Sequence, residues 1–131
     1  MSGGWRVAGE EIRSYRDLLV WQKAMAWIEA AYRLTSRWPS DERFGLISQL
    51  RRSSVSVAAN IAEGASRRST GEFLQFLGIA RGSLAEAETL VLLSVRLGYS
   101  TDHDVSGLLE QADEISRMSA ALIASLKKRQ K

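Results

Sequence analysis

The chain of 131 residues has no cysteine, one proline (Pro39) and one histidine (His103). Without thiols there are no disulfides, thiolate metal sites or cysteine nucleophiles, and the reducing cytoplasm is the default setting. The scarcity of proline, together with little β-branched alternation, points to long helices with few breaks. No stretch approaches the roughly 18 uninterrupted apolar residues of a membrane span. The opening MSGGWRVAGEEIR carries acidic residues and lacks an apolar h-region, so it does not read as a signal peptide. What is present is ordinary for one globular domain, with 45% hydrophobic and 25% charged residues. A net charge of +3 and a pI near 9.6 permit an anionic partner without requiring one.

Punctuation divides the rest into four periodic segments. The first, residues 15–36, places Val20/Trp21, Ala24, Trp27/Ile28, Ala31 and Leu34 at three- and four-residue spacing. Pro39 stops it, and Ser40 is the expected N-cap of the second helix, with Asp41 and Glu42 at its positive end. That helix carries Ile47, Leu50, Ser54, Val57 and Ile61 on one stripe, and Gly64 is placed to cap it in the left-handed conformation. Ser69 and Glu72 form a capping-box pattern before a third helix with Phe73, Leu77, Ala80, Leu84, Ala87 and Val91 at heptad spacing, ended by Gly98. Thr101 or Ser100 caps the fourth, whose stripe is Leu108, Ala112, Ile115, Ser119, Leu122 and Leu126. Short loops between long helices imply an all-α, antiparallel up-down-up-down four-helix bundle. The expected organisation is a flexible N-terminal arm over residues 1–13, the bundle over 14–127 and a basic C-terminal tail over 128–131. Trp5, Val7 and Ile12 give the arm some means of docking.

The least ordinary stretch is QLRRSSVSVAANIAEG, residues 49–64. It sets Arg51, Arg52, Asn60 and Glu63 among small residues where a core helix would carry leucine. Arg52 and Glu63 are eleven residues, about three turns, apart and share a stripe with Ser56 and Ala59. Another helix can approach closely there, and the third helix offers Ala80, Gly82, Ser83, Ala85 and Ala87. It also carries Glu86 and Glu88, able to pair with Arg51 or Arg52. The first reading is therefore a structural polar network of Arg51, Arg52, Asn60, Glu63, Glu86 and Glu88. The second is a face that binds a ligand or nucleic acid.

Arg67 and Arg68 follow the second helix, while Lys127, Lys128, Arg129 and Lys131 close the chain. In an up-down bundle the second and fourth helices end on the same side, so these cations share one end. They are the candidates for nucleic-acid contact through phosphates; the competing reading is that the lysines complement a helix dipole. His103 lies between Asp102 and Asp104, but neighbours on a helix point apart, so a solvated first turn is expected and no metal site. Trp21, Trp27 and Tyr32 have the spacing of core or subunit-interface residues, with base stacking as the other possibility. No nucleophile is accompanied by a base, which argues against an enzyme and leaves no cofactor to place.

Residues 49–64, followed by Arg68, Glu72, FLQFLGIARGSLAEAETLV (residues 73–91) and LGY (97–99), resemble the four-helix-bundle proteins encoded in 23S rRNA intervening sequences. YRDLLVWQKAM (15–25), YRLT (32–35) and the Trp38-Pro39 pair fit as well. The motif in that family is nearer RRAxVSIxxNIAEG, so Ser53 and Val57 are mild departures. The resemblance implies a homopentamer, a bacterial cytoplasmic setting and no established enzymatic activity. It extends distantly to the accessory variability protein of diversity-generating retroelements, a pentameric bundle that binds nucleic acid. The expected function is a non-enzymatic, self-associating RNA- or DNA-binding accessory protein without a membrane partner. The alternative is a protein-interaction scaffold whose basic charge is incidental.

Overall fold

A computed structural model describes residues 4–7 and 9–129. A hairpin of β1 (Trp5–Val7) and β2 (Glu10–Ile12) precedes a 3-10 turn at Tyr15–Asp17. The helices are α1 (Leu19–Thr35), α2 (Leu46–Ala65), α3 (Thr70–Arg96) and α4 (Asp102–Lys128). Helix α1 packs on α2 and α4, and α3 packs on α2 and α4, closing a four-helix bundle. The expected stripes face its interior. Val20, Ala24, Trp27, Ala31 and Leu34 of α1 meet Leu50, Val57 and Ile61 of α2, all buried. The entire α3 heptad set and the α4 stripe join them. Two buried serines bond to their own helices, Ser54 Oγ donating to the Arg51 carbonyl at 2.9 Å and Ser94 Oγ to that of Val91 at 2.6 Å. Burial of these two therefore leaves neither hydroxyl unsatisfied.

Three boundaries differ from the expectations. Residues 15–17 form a 3-10 turn, and α1 starts at Leu19, because the Ser14–Asp17 capping box closes that turn on itself. Ser40 likewise opens a 3-10 turn and is not the α2 cap; α2 begins at Leu46, where Glu42 Oε1 accepts from the Leu46 N–H at 3.1 Å. Gly64 lies within α2, which ends in the right-handed conformation at Ser66. The glycine is required by packing: a Cβ there would stand 2.9 Å from both Phe73 Cδ1 and Phe76 Cβ. At α3 the Ser69 hydroxyl caps the Glu72 N–H at 3.1 Å, and it donates to the Glu72 carboxylate, so the box is closed between side chains. Thr101 and Asp104 make a full capping box on α4. Gly98, with φ +80°, ends the α3 segment as expected.

The described part of the supposed loose arm is a docked hairpin. Trp5 Nε1 donates to the Ala65 carbonyl at 2.9 Å, its ring lies 4.9 Å from that of Phe73, and Ile12 is buried. Burying indole and isoleucine surface offsets the ordering of this short segment. Residues 1–3 and Ala8 of the arm, and residues 130–131 of the tail, lie outside the described residues. The hairpin also marks an end of the bundle, since Trp5 holds the close of α2 while Val7 and Ile12 line a groove with Met118, Leu122 and Ser125 near the close of α4. At the other end Trp38 Nε1 donates to Ser100 Oγ at 2.9 Å, and the Tyr99 hydroxyl donates to Glu42 at 2.8 Å. These two bonds tie the loops together and set the frame for both candidate surfaces.

Candidate nucleic-acid interface

The polar residues of α2 do not form the expected network. Successive helix positions are about 100° apart, so Arg51 and Arg52 turn to different neighbours. Arg51 faces α1, donating from Nε to Thr35 Oγ1 at 2.9 Å and from Nη2 to the Tyr32 carbonyl, with its guanidinium 4.4 Å from the Tyr32 ring centre. Arg52 is exposed and makes no ion pair among the described residues. Asn60 donates to the carbonyl and hydroxyl of Ser56, and Ser56 meets Ser83 of α3 at 2.8 Å. The close approach expected of the small residues is present; the arginine–carboxylate pairs to Glu86 and Glu88 are not. Glu86 is exposed near Arg52, with Ser53, Ser56 and Ser83 around the same shallow groove.

Glu88 faces the other way, toward α4. Burial, and then the nearby Asp113, hold its carboxyl above the ordinary range. Asp113 is itself paired with Arg117. Because folding raises this affinity for a proton, the folded state gains stability as pH falls through the raised value, and the charged carboxylate opposes folding above it. Glu88→Gln is therefore expected to raise Tm at neutral pH. The gain should vanish as pH drops to the ordinary glutamate range of about 4.3, which melting curves at several pH values will check.

At the hairpin end, Arg67 is already engaged. It pairs with Glu63 at 2.8 Å and Glu72 at 3.7 Å, and lies 5.0 Å from the Phe76 ring centre. Glu63 thus belongs with Arg67 and not with Arg52. Arg68, Lys127, Lys128 and Arg129 are exposed and make no ion pair among the described residues. Lys127 and Lys128 occupy the last turn of α4, where their charge also complements the helix dipole. Arg6 of the hairpin is exposed at the same end and donates to the Gly9 carbonyl. The end therefore presents exposed cations without ion pairs among the described residues, together with one arginine neutralised by carboxylates.

His103 is exposed in the first turn of α4. No group of three histidine, aspartate or glutamate side chains able to hold a metal ion occurs among the described residues. Trp27 is buried, with Nε1 donating to the Leu108 carbonyl at 2.8 Å, and Trp21 is half-buried edge-on to Tyr15. Trp27 is thus out of reach of a base, and Trp21 packs against the core as its spacing suggests. Sequence reasoning missed Arg43 and Phe44, which with Tyr32, Ile47, Ser48, Arg51, Arg52, Val55 and Ser56 line a groove of about 640 Å³. Phe44 precedes Ile47 by three residues and so looks like one more core position; nothing in the spacing reveals that the chain has not yet become helical there.

No helix among the described residues is long and apolar enough to cross a membrane. No curated protein matches the chain significantly. The fold is similar to a crystal structure of a protein with unknown function from the S23 ribosomal protein family of Bacteroides thetaiotaomicron. That likeness has a TM-score of 0.74 at 24% identity, covering 80% of this chain and 98% of the other. The family model described as 23S rRNA-intervening sequence protein matches residues 16–121, from just before α1 to the penultimate turns of α4. With the arginine-to-glycine run of α2 and the whole helical frame inside that match, the chain belongs to the 23S rRNA-intervening sequence protein family.

Proposed function

We propose that this protein is a non-enzymatic, self-associating bundle of the bacterial cytoplasm that contacts RNA or DNA through phosphates at its basic end. The observation that carries the reading is that Arg68, Lys127, Lys128 and Arg129, all without ion pairs among the described residues, lie at the one end of the bundle that the hairpin marks. Long flexible cations in solvent suit phosphate contacts that are insensitive to sequence.

Self-association is supported by the outward side of α3. Ile79, Leu92 and Leu93 are exposed there, and a Cβ at Gly78 or Gly82 would meet nothing within 4 Å. A glycine inside a helix costs about 1 kcal/mol relative to alanine, and packing within one chain gives no reason for either. A second copy approaching closely would supply one. The homopentamer implied by the family resemblance would repeat the basic end and add weak contacts into avidity.

The test is a solution mass together with RNA binding across a salt series. The expected result is an oligomer whose affinity for RNA falls steadily as salt rises. A monomer, or RNA affinity that is absent at low salt or indifferent to salt, would contradict the reading.

A further inference from the structure

The groove between the end of α1 and the start of α2 has an unusual lining. It brings together Arg43, Arg51 and Arg52 and contains no carboxylate. Glu42, the nearest acidic residue in sequence, is turned away: its carboxylate accepts from the Leu46 N–H and the Tyr99 hydroxyl. Glu86 stands across Arg52 in the neighbouring groove. Phe44 is 89% exposed at the rim, with the Arg43 guanidinium 5.9 Å from its ring centre and the rest of the ring open to solvent. Arg51 is held by Thr35 and Tyr32, so its charge is fixed in place, whereas Arg52 remains unpaired among the described residues.

We propose that this groove takes a segment of single-stranded RNA, with phosphates on Arg43 and Arg52 and a base stacked on Phe44. The inference rests on the reading that the protein contacts nucleic acid, and adds a second surface that selects unpaired strands. Three arginines without a carboxylate call for an anion, and an exposed ring calls for a flat apolar face; an unpaired nucleotide offers both on adjoining atoms. A duplex keeps its bases stacked and cannot present one to Phe44. The Ser48 hydroxyl, half-buried in the lining and without a hydrogen bond to the described residues, is placed to meet a 2′-hydroxyl. The groove volume of about 640 Å³ falls within the roughly 300–1,000 Å³ of ligand sites, and its exposed rim leaves room for the strand to continue.

The full-length protein can be titrated with oligouridylate, oligothymidylate and a blunt RNA duplex at one salt concentration. Phe44→Ala should weaken oligouridylate binding about tenfold or more and leave the duplex unchanged, while Phe44→Trp should retain binding. Lys127→Gln/Lys128→Gln/Arg129→Gln should weaken binding to all the ligands. Phe44 is exposed, so unchanged melting of Phe44→Ala is expected and can be checked directly. Wild-type binding that Phe44→Ala leaves intact would overturn the groove proposal alone; a wild type that binds none of the ligands would overturn the underlying reading with it. Equal losses on oligothymidylate would overturn the choice of RNA. A change in solution mass on Phe44→Ala would show that a second copy covers the groove, and would overturn the proposal as well.

Discussion

Trp27→Ala is expected to lower the unfolding free energy by about 3–5 kcal/mol, the largest loss of any single truncation in the bundle. Trp27 is among the largest fully buried side chains, with 1% of its surface exposed. Its Nε1–H bond to the Leu108 carbonyl at 2.8 Å crosses from α1 to α4. Truncation opens a cavity where α1 meets α4 and removes that bond together with the ring contacts. The loss is comparable with the total of about 5–15 kcal/mol that holds a typical domain folded. A fall in Tm of roughly 10–20 °C follows for a chain of this size, measurable by circular dichroism. Trp27→Phe keeps most of the volume and should fall between the variant and the wild type.

Gly64→Val is the second large effect, expected at about 3 kcal/mol through overpacking. The added Cβ would stand 2.9 Å from Phe73 Cδ1, 2.9 Å from Phe76 Cβ and 3.3 Å from the Phe73 carbonyl oxygen. Two of these atoms are fixed by the α3 backbone. Phe73 is buried and pinned by Trp5, so its ring has no room to retreat. Relief requires α2 and α3 to separate near their shared loop, which also loosens the hairpin. Gly64→Ala should be milder, because the gain in helix propensity of about 1 kcal/mol opposes the overlap. Chemical denaturation of both variants gives the comparison; a valine variant as stable as wild type would show that α3 can yield there.

Much of this frame was legible in the sequence because burial imposes a repeat. Leu50, Val57 and Ile61, or Leu108, Ala112 and Ile115, announce their faces by spacing alone. The dense small residues of α2 announced a close neighbour, and Ser56 against Ser83 is that contact. What was hidden depends on a partner distant in sequence. Gly64 follows an apolar stripe, as a C-cap glycine does, and only the arrival of Phe73 and Phe76 assigns it to packing. Arg51 and Arg52 look equivalent side by side, yet one turn angle sends the first to Thr35 of α1 and leaves the second in solvent. Glu42 was legible as an acidic residue near a helix start, although its bond to Tyr99 joins loops far apart in the chain. The hairpin was the hardest to see, since strands of three residues are too short to show a period.

The basic end carries the functional account, and its charge can be tested by one comparison. RNA affinity should be measured against salt for the wild type and for Lys127→Gln/Lys128→Gln/Arg129→Gln, with helicity and mass confirmed unchanged. Each phosphate contact to a single strand contributes about 0.7 to the log–log slope. Loss of the three cations should therefore make the slope shallower by about 2 per protomer in contact, with weaker binding at low salt. Identical affinity and slope in the two proteins would contradict phosphate contact at this end.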